Sequence, residues 1–184
     1  MLPSMKTPTS PKAKEIKNIG KTYTEVSKKI LPQLRRSQAN LVMKHHNLTD
    51  EEIFLVQNSV KMIRKSMEEF STAFYQELFQ MNPMVKKLFI SNIKSQILKF
   101  AQVFELLVTS LDNMDKLLPA LKSLGKRHNN YGVEEYHYQI VSIALINTLR
   151  NSLGAQFTPE IENAWLKTYG LVTMIMVDSS KGLM

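Results

Sequence analysis

Cysteine is absent from this chain. That absence excludes disulfides, zinc–thiolate sites, iron–sulfur clusters and any thiolate-bound iron. It fits a reducing compartment, and a cytoplasmic location is the expectation. No run of about 18 apolar residues occurs, so no membrane-spanning helix is expected. The opening Met1-Leu2-Pro3-Ser4-Met5-Lys6 lacks the apolar core of a secretory signal. Its lysines are faintly like a transit peptide, but the first arginine is Arg35. No Gly-rich dinucleotide fingerprint is present, and no stretch shows strand alternation with hairpin turns.

What is present in excess is positive charge, and it is unevenly placed. The net charge is +8. Residues 1–44 hold ten Lys/Arg against Glu15 and Glu25, a net of +8, so residues 45–184 are neutral. The basic pI of about 9.6 belongs to an N-terminal arm rather than to the body. This argues against a nucleic-acid binder, whose charge would lie on the folded body. With 184 residues, of which 43% are hydrophobic, the chain can form one packed domain plus an extension.

Residues 1–20 carry three prolines with serines, threonines and lysines and read as a disordered arm. Val26, Ile30, Leu34 and Leu41 give residues 22–44 an amphipathic helical pattern, weakened by Pro32. Such a helix either packs on the body or docks on a partner protein or an anionic membrane surface. The body then opens with Thr49-Asp50-Glu51-Glu52, a capping box ahead of Ile53, Val56, Val60 and Ile63 at helical spacing. Further helices are expected over Met67 to Gln80, Ile93 to Leu111, from about Asp115 towards His128, and Glu134 to Leu153. A short turn starts at Asn82-Pro83, and a last helix, capped by Thr158-Pro159-Glu160, runs to about Val177. The expected fold is all-α, with about seven helices.

His128 follows the apolar helical stretch Met114 to Leu124. A histidine closing a helix on its apolar side, in a chain with no thiolate, is a candidate axial ligand for a haem iron. The same placement suits a capping or core histidine. If it ligates haem, the imidazole must be neutral and a nearby acceptor should fix its ring. The opposite face should offer a polar donor to a bound gas molecule, and aromatic wedges should meet the macrocycle. His45 and His46 read as surface residues, His137 as structural and Trp165 as packing.

Three stretches together resemble the globin family, in the branch of single-domain bacterial haemoglobins, flavohaemoglobin globin domains and neuroglobin. The first is Phe74-Tyr75-Gln76-Glu77-Leu78-Phe79 with Asn82-Pro83 and Leu88-Phe89. The second runs from Gln96 to Leu117-Leu118-Pro119-Ala120-Leu121. The third runs from Leu124-Gly125-Lys126-Arg127-His128 through Tyr131-Gly132-Val133, His137-Tyr138, Leu153-Gly154, Phe157-Thr158-Pro159-Glu160 and Ala164-Trp165 to Tyr169-Gly170. The resemblance covers about residues 48–178 and implies a globin fold around haem b, with an extension over 1–44 and the globin domain over 45–184.

It also implies roles. His128 matches the iron ligand and Phe89 the phenylalanine wedged against the haem. Gln96, 32 residues upstream of His128, matches the distal position. Tyr75 matches the distal tyrosine of the bacterial branch, and Phe100 the apolar residue over the ligand site. Leu124 and Val133 match proximal haem contacts. Tyr138 matches the tyrosine that hydrogen-bonds near the proximal histidine in flavohaemoglobins. The carboxylate completing that relay has no obvious counterpart near the chain end.

The implied function is reversible binding of dioxygen, and of NO or CO, at the open face of the haem. Tyr75 and Gln96 would be the donors, and the role would be oxygen binding or transport, or NO detoxification. The flavin- and nicotinamide-binding reductase into which flavohaemoglobins continue has no counterpart up to Met184, so any NO dioxygenase activity is expected to need an external reductase. The alternative is a globin-type gas sensor or signalling protein acting through its N-terminal extension.

Overall fold

The computed structural model describes residues 48–89 and 92–182. The expected helix over 22–44, the 44/45 domain boundary, His45 and His46 lie outside the described residues. Six α-helices are present among the described residues: α1 (Asp50–Ile63), α2 (Met67–Met81), α3 (Ile93–Thr109), α4 (Met114–Asn130), α5 (Glu135–Leu153) and α6 (Pro159–Ser180). Short 3₁₀ turns follow α1, α2 and α5, the second spanning Pro83–Leu88. The described residues contain no strand, and the fold is all-α as expected. No described helix is long and apolar enough to cross a membrane.

Local chemistry sets the boundaries. The Thr49 hydroxyl accepts from the Glu52 amide while the Glu52 carboxylate accepts from the Thr49 amide, the reciprocal pair that starts α1. Asn82, Asn92 and Asn113 each accept an amide hydrogen bond at the start of the element that follows. Gly154 stops α5 with φ of 55°, a conformation that a Cβ disfavours. Two ends differ from the sequence expectation, those of α3 and α6, and α6 runs to Ser180 rather than about Val177. α3 stops at Thr109, because the Ser110 amide folds back onto the last carbonyls. α4 continues to Asn130, which places His128 in its last turn, at the helix end where the sequence put it.

α4 lies along α6, α2 packs on α5, and α3 rests on α2 and α1. The closest approach is at Gly125. A Cβ there would come within 2.2 Å of the Met176 carbonyl oxygen, so only glycine lets α4 sit this close to α6. The core runs through Val56, Leu78, Val108, Leu121, Leu149, Ala164 and Trp165, all essentially buried. Trp165 stacks on Phe104 at 5.4 Å and donates its indole hydrogen to the Ser59 hydroxyl at 2.9 Å, which joins α6 to α3 and α1.

α3 and α4 are consecutive in the chain but do not pack closely on each other. Each carries a strip at i, i+4, i+7 and i+11. On α3 it is Gln96, Phe100, Val103 and Leu107; on α4 it is Leu117, Leu121, Leu124 and His128. The α3 strip is incompletely covered by protein: Phe100 and Leu107 are half-buried and Val103 is 42% exposed. On α4, Leu117 and Leu121 are buried in the core while Leu124 and His128 are half-buried, so only the second half of that strip is open to a flat apolar guest between the two helices.

Candidate functional site

Tyr75 is the most enclosed of the polar candidates, at 4% exposure. Four rings surround it: Phe74 at 5.1 Å, Phe89 at 5.4 Å, and Phe79 and Phe100 at 5.7 Å. Phe100 also stacks on Phe74, at 4.5 Å and 6°. These contacts bring α2, α3 and the turn after Leu88 together around one phenol. Gln96 reaches across from α3 and donates from Nε2 to the Tyr75 hydroxyl oxygen at 3.2 Å. Burial pushes the Tyr75 phenol up to about 12, against a smaller opposite effect of the Gln96 hydrogen bond. The hydroxyl therefore keeps its proton at neutral pH. Its oxygen already accepts from Gln96, so that proton is available to a further acceptor.

His128 is held differently. Its Nδ1 lies 2.9 Å from the Leu124 carbonyl oxygen, one turn back in α4. A carbonyl can only accept, so Nδ1 carries the hydrogen and the lone pair is on Nε2. Burial lowers the pKa of His128, and Arg127 adds to this against the Leu124 hydrogen bond. A neutral imidazole with a free Nε2 lone pair is the form that ligates a metal. The Val133 amide donates to the His128 carbonyl at 3.0 Å, so Val133 closes the helix end on which His128 sits.

Tyr138, on α5, meets the His128 ring face on, 6.2 Å between centroids and 26° between planes. The resemblance implied a hydrogen bond near the histidine. Among the described residues the link is ring to ring, and the acceptor for Nδ1 is the Leu124 carbonyl. Tyr138 is fixed through its backbone, because the Tyr169 hydroxyl donates to its carbonyl at 2.7 Å. His137 is buried and structural: its Nδ1 accepts from the Glu134 amide at 2.8 Å at the start of α5.

Tyr75, Phe89, Gln96 and Phe100 are thus assembled in one cluster, and Leu124, His128, Val133 and Tyr138 in another. Sequence reasoning missed the carbonyl of Leu124, which holds the imidazole, and the close approach at Gly125. It also missed Val103 and Leu107, whose signal was the four-residue spacing from Gln96. An open polar depression of about 560 Å³, lined by Lys65, Glu68, Thr72 and Gln76, involves none of these residues.

These residues fit haem. A single histidine suffices for a metal that brings its other ligands with it. The incompletely covered strip of α3 suits one face of a macrocycle and half-buried Leu124 and His128 near the end of α4 the other, and the tyrosine–glutamine pair gives one face a donor.

Known proteins identify the family. The chain is similar to a flavohemoprotein of Vibrio cholerae, 26% identical over 139 residues, 74% of this chain and 35% of that protein. It spans about a third of the length of the flavohemoproteins it matches. It is also 27% identical to Neuroglobin-1 of Oncorhynchus mykiss over 143 residues, 70% of this chain and 90% of that one. The solved bacterial globin of Campylobacter jejuni superposes with a TM-score of 0.64 at 25% identity, covering 73% of this chain and 98% of its own. The globin family model matches residues 72–176. Globins carry haem, haem b being the usual form. With more than half of its length matched and its fold shared, the chain belongs to the globin family.

Proposed function

We propose that this protein holds haem b through His128 Nε2 and binds dioxygen reversibly on the opposite face, with NO and CO as further ligands. The observation that carries this reading is the Gln96–Tyr75 hydrogen bond inside the aromatic cluster. When bound, haem supplies the open iron position where a diatomic gas attaches. The chain supplies the rest. Gln96 orients the Tyr75 hydroxyl, whose proton points to an acceptor other than Gln96. Phe74, Phe79, Phe89 and Phe100 exclude water around it. Leu124 keeps the imidazole in one tautomer and orientation.

Oxygen binding or transport is the direct use of such a site. Oxidation of NO to nitrate by the oxygenated protein is a second outcome of the same chemistry, and it needs a reductant to return the iron to its ferrous state. The test is the visible spectrum of the reduced protein with and without dioxygen, followed by dioxygen off-rates. Tyr75→Phe removes the donor and keeps the ring. A lost hydrogen bond of about 1–1.5 kcal/mol speeds dissociation roughly tenfold. An unchanged off-rate removes Tyr75 from the site.

A further inference from the structure

The outer side of α5 and α6 carries charge only at its ends. Tyr136 to Leu149 is a run of 14 residues without Asp, Glu, Lys or Arg, and Thr168 to Val177 is another of ten. The two helices run antiparallel: Arg150 pairs with Glu162 at 2.7 Å at one end, and Glu135 pairs with Lys181 at the other. Tyr136, Gln139, Ile143 and Arg150, at i, i+3, i+7 and i+14, share one side of α5. Glu162, Leu166, Gly170 and Val177, at i, i+4, i+8 and i+15, share one side of α6. Arg150 and Glu162 belong to one stripe each, so their ion pair sets the stripes side by side. Tyr136, Leu166 and Gly170 are exposed, and Gln139, Ile143 and Val177 are half-buried. Ile143, Leu166 and Val177 belong neither to the core cluster nor to the apolar side chains packed against it.

Gly170 differs from Gly125, where the Met176 backbone leaves no room for a Cβ. At Gly170 a Cβ would meet nothing within 4 Å among the described residues, and the φ is not positive. Glycine weakens a helix interior, and no described neighbour gains from it here. A glycine on an outward helix face lets another backbone come close.

The four charges select that other backbone. Their sign alternates along the face and across it. A two-fold axis lying in the face, perpendicular to the helices, sets each end over the opposite end of a second copy. Glu135 then meets the partner's Arg150, and Lys181 meets the partner's Glu162, so all four corners join opposite signs. The axis falls midway between the charged ends, within two residues of Gly170 and one of Ile143. The face is about 22 Å long and about 20 Å wide, at the small end of specific interfaces, which suits a reversible dimer.

We propose that two copies of this chain associate through the outer side of α5 and α6, with α6 antiparallel to the partner's α6 and Gly170 against the partner's Gly170. The chain has no cysteine, so an introduced thiol is unique. In the full-length, haem-loaded protein, Gly170→Cys is expected to form a disulfide-linked dimer on mild oxidation, because facing glycines bring Cα atoms within the roughly 4.4–6.8 Å that a disulfide spans. Met62→Cys, exposed on α1, stays monomeric. Sedimentation equilibrium from about 1 to about 200 μM should show the mass rise from that of one chain, 21.2 kDa, towards that of two.

Gly170→Arg sets a charge against its own copy at the axis and is expected to weaken association at least about tenfold. Its urea midpoint does not fall, because the new side chain meets nothing in the monomer. Arg150→Glu/Glu162→Arg keeps an ion pair within each copy but puts like charges opposite each other across the axis, which weakens association about tenfold. A parent protein that is monomeric at every concentration overturns the proposal. So does either of these variants associating like the parent, or Gly170→Cys cross-linking no faster than Met62→Cys. None of these readouts depends on gas binding.

Discussion

The two sides of the haem site are built by different means. On the Tyr75 side the arrangement is tertiary: a side chain of α3 bonds a side chain of α2, and four rings from three elements enclose the pair. On the His128 side it is mostly local: the imidazole is held by a carbonyl four residues back in its own helix. The two sides also differ in their response to pH. Burial moves the Tyr75 phenol up to about 12, away from any working pH, whereas it lowers both His128 and the nearby His137. One side is insensitive to acid and depends on helices staying in place. The other survives small helix movements but relies on neutral histidines.

The widest break in this comparison is removal of the proposed iron ligand. His128→Ala leaves the aromatic cluster and the Gln96–Tyr75 bond in place yet is expected to abolish the Soret band of the reconstituted protein. Added imidazole should restore part of it by entering the space vacated. Retention of a normal Soret band would mean that another side chain ligates the iron.

Gly125→Val is expected to rank next. Its side chain would collide with the Met176 backbone, which cannot swing aside as a side-chain tip can. Pushing α4 off α6 should cost about 3 kcal/mol, read from the urea midpoint. Haem transfer to an acceptor protein should accelerate, while the off-rate of dioxygen from the haem-bound fraction changes less. If that off-rate changes more than haem retention does, the two sides are coupled and the local description of the His128 side is wrong.

The sequence made the local half of the site easier to read than the tertiary half. Capping signals at Thr49, Asn82 and Thr158 are short-range chemistry, and the structure places a cap at each. The order of the helices followed from apolar spacing. What spacing could not supply was any statement about which helices meet. Gly125 read as part of a motif, and its reason, the Met176 backbone, lies 51 positions away. Trp165 read as packing, but its partner Ser59 is 106 positions away and had no signal of its own. The Leu124 carbonyl was invisible for another reason: a backbone group carries no sequence signature, and only the observed helix through Asn130 puts it beneath His128.

The tertiary side is sharpened by ranking its two polar members. Gln96 donates to the Tyr75 oxygen, and the proposed function takes Gln96 as the positioning residue and Tyr75 as the direct donor to the gas ligand. Tyr75→Phe should then raise the dioxygen off-rate roughly tenfold and Gln96→Leu only about threefold, since the phenol remains and loses only its orientation. The reverse order would assign the direct contact to Gln96.

The smallest effect tests the acid sensitivity of the His128 side without touching the ligand. His137 accepts from the Glu134 amide only while its Nδ1 is unprotonated, and burial holds its pKa below the ordinary 6.5. In the unfolded chain His137 takes up its proton at the ordinary value; in the folded chain it resists until lower pH. Between those two points the unfolded state binds more protons, so stability is fully present above 6.5 and declines as pH falls through the folded value. His137→Gln keeps an acceptor at the third position of α5, as an ordinary capping box does, and has no proton to gain. The variant should match the parent protein at pH 7 within a few tenths of a kcal/mol and lose less stability on acidification, by about 1 kcal/mol or less. Urea midpoints from pH 7.5 to 5 measure this difference. Parallel profiles would remove His137 from the acid response, because His137 would then no longer differ from a permanently neutral cap.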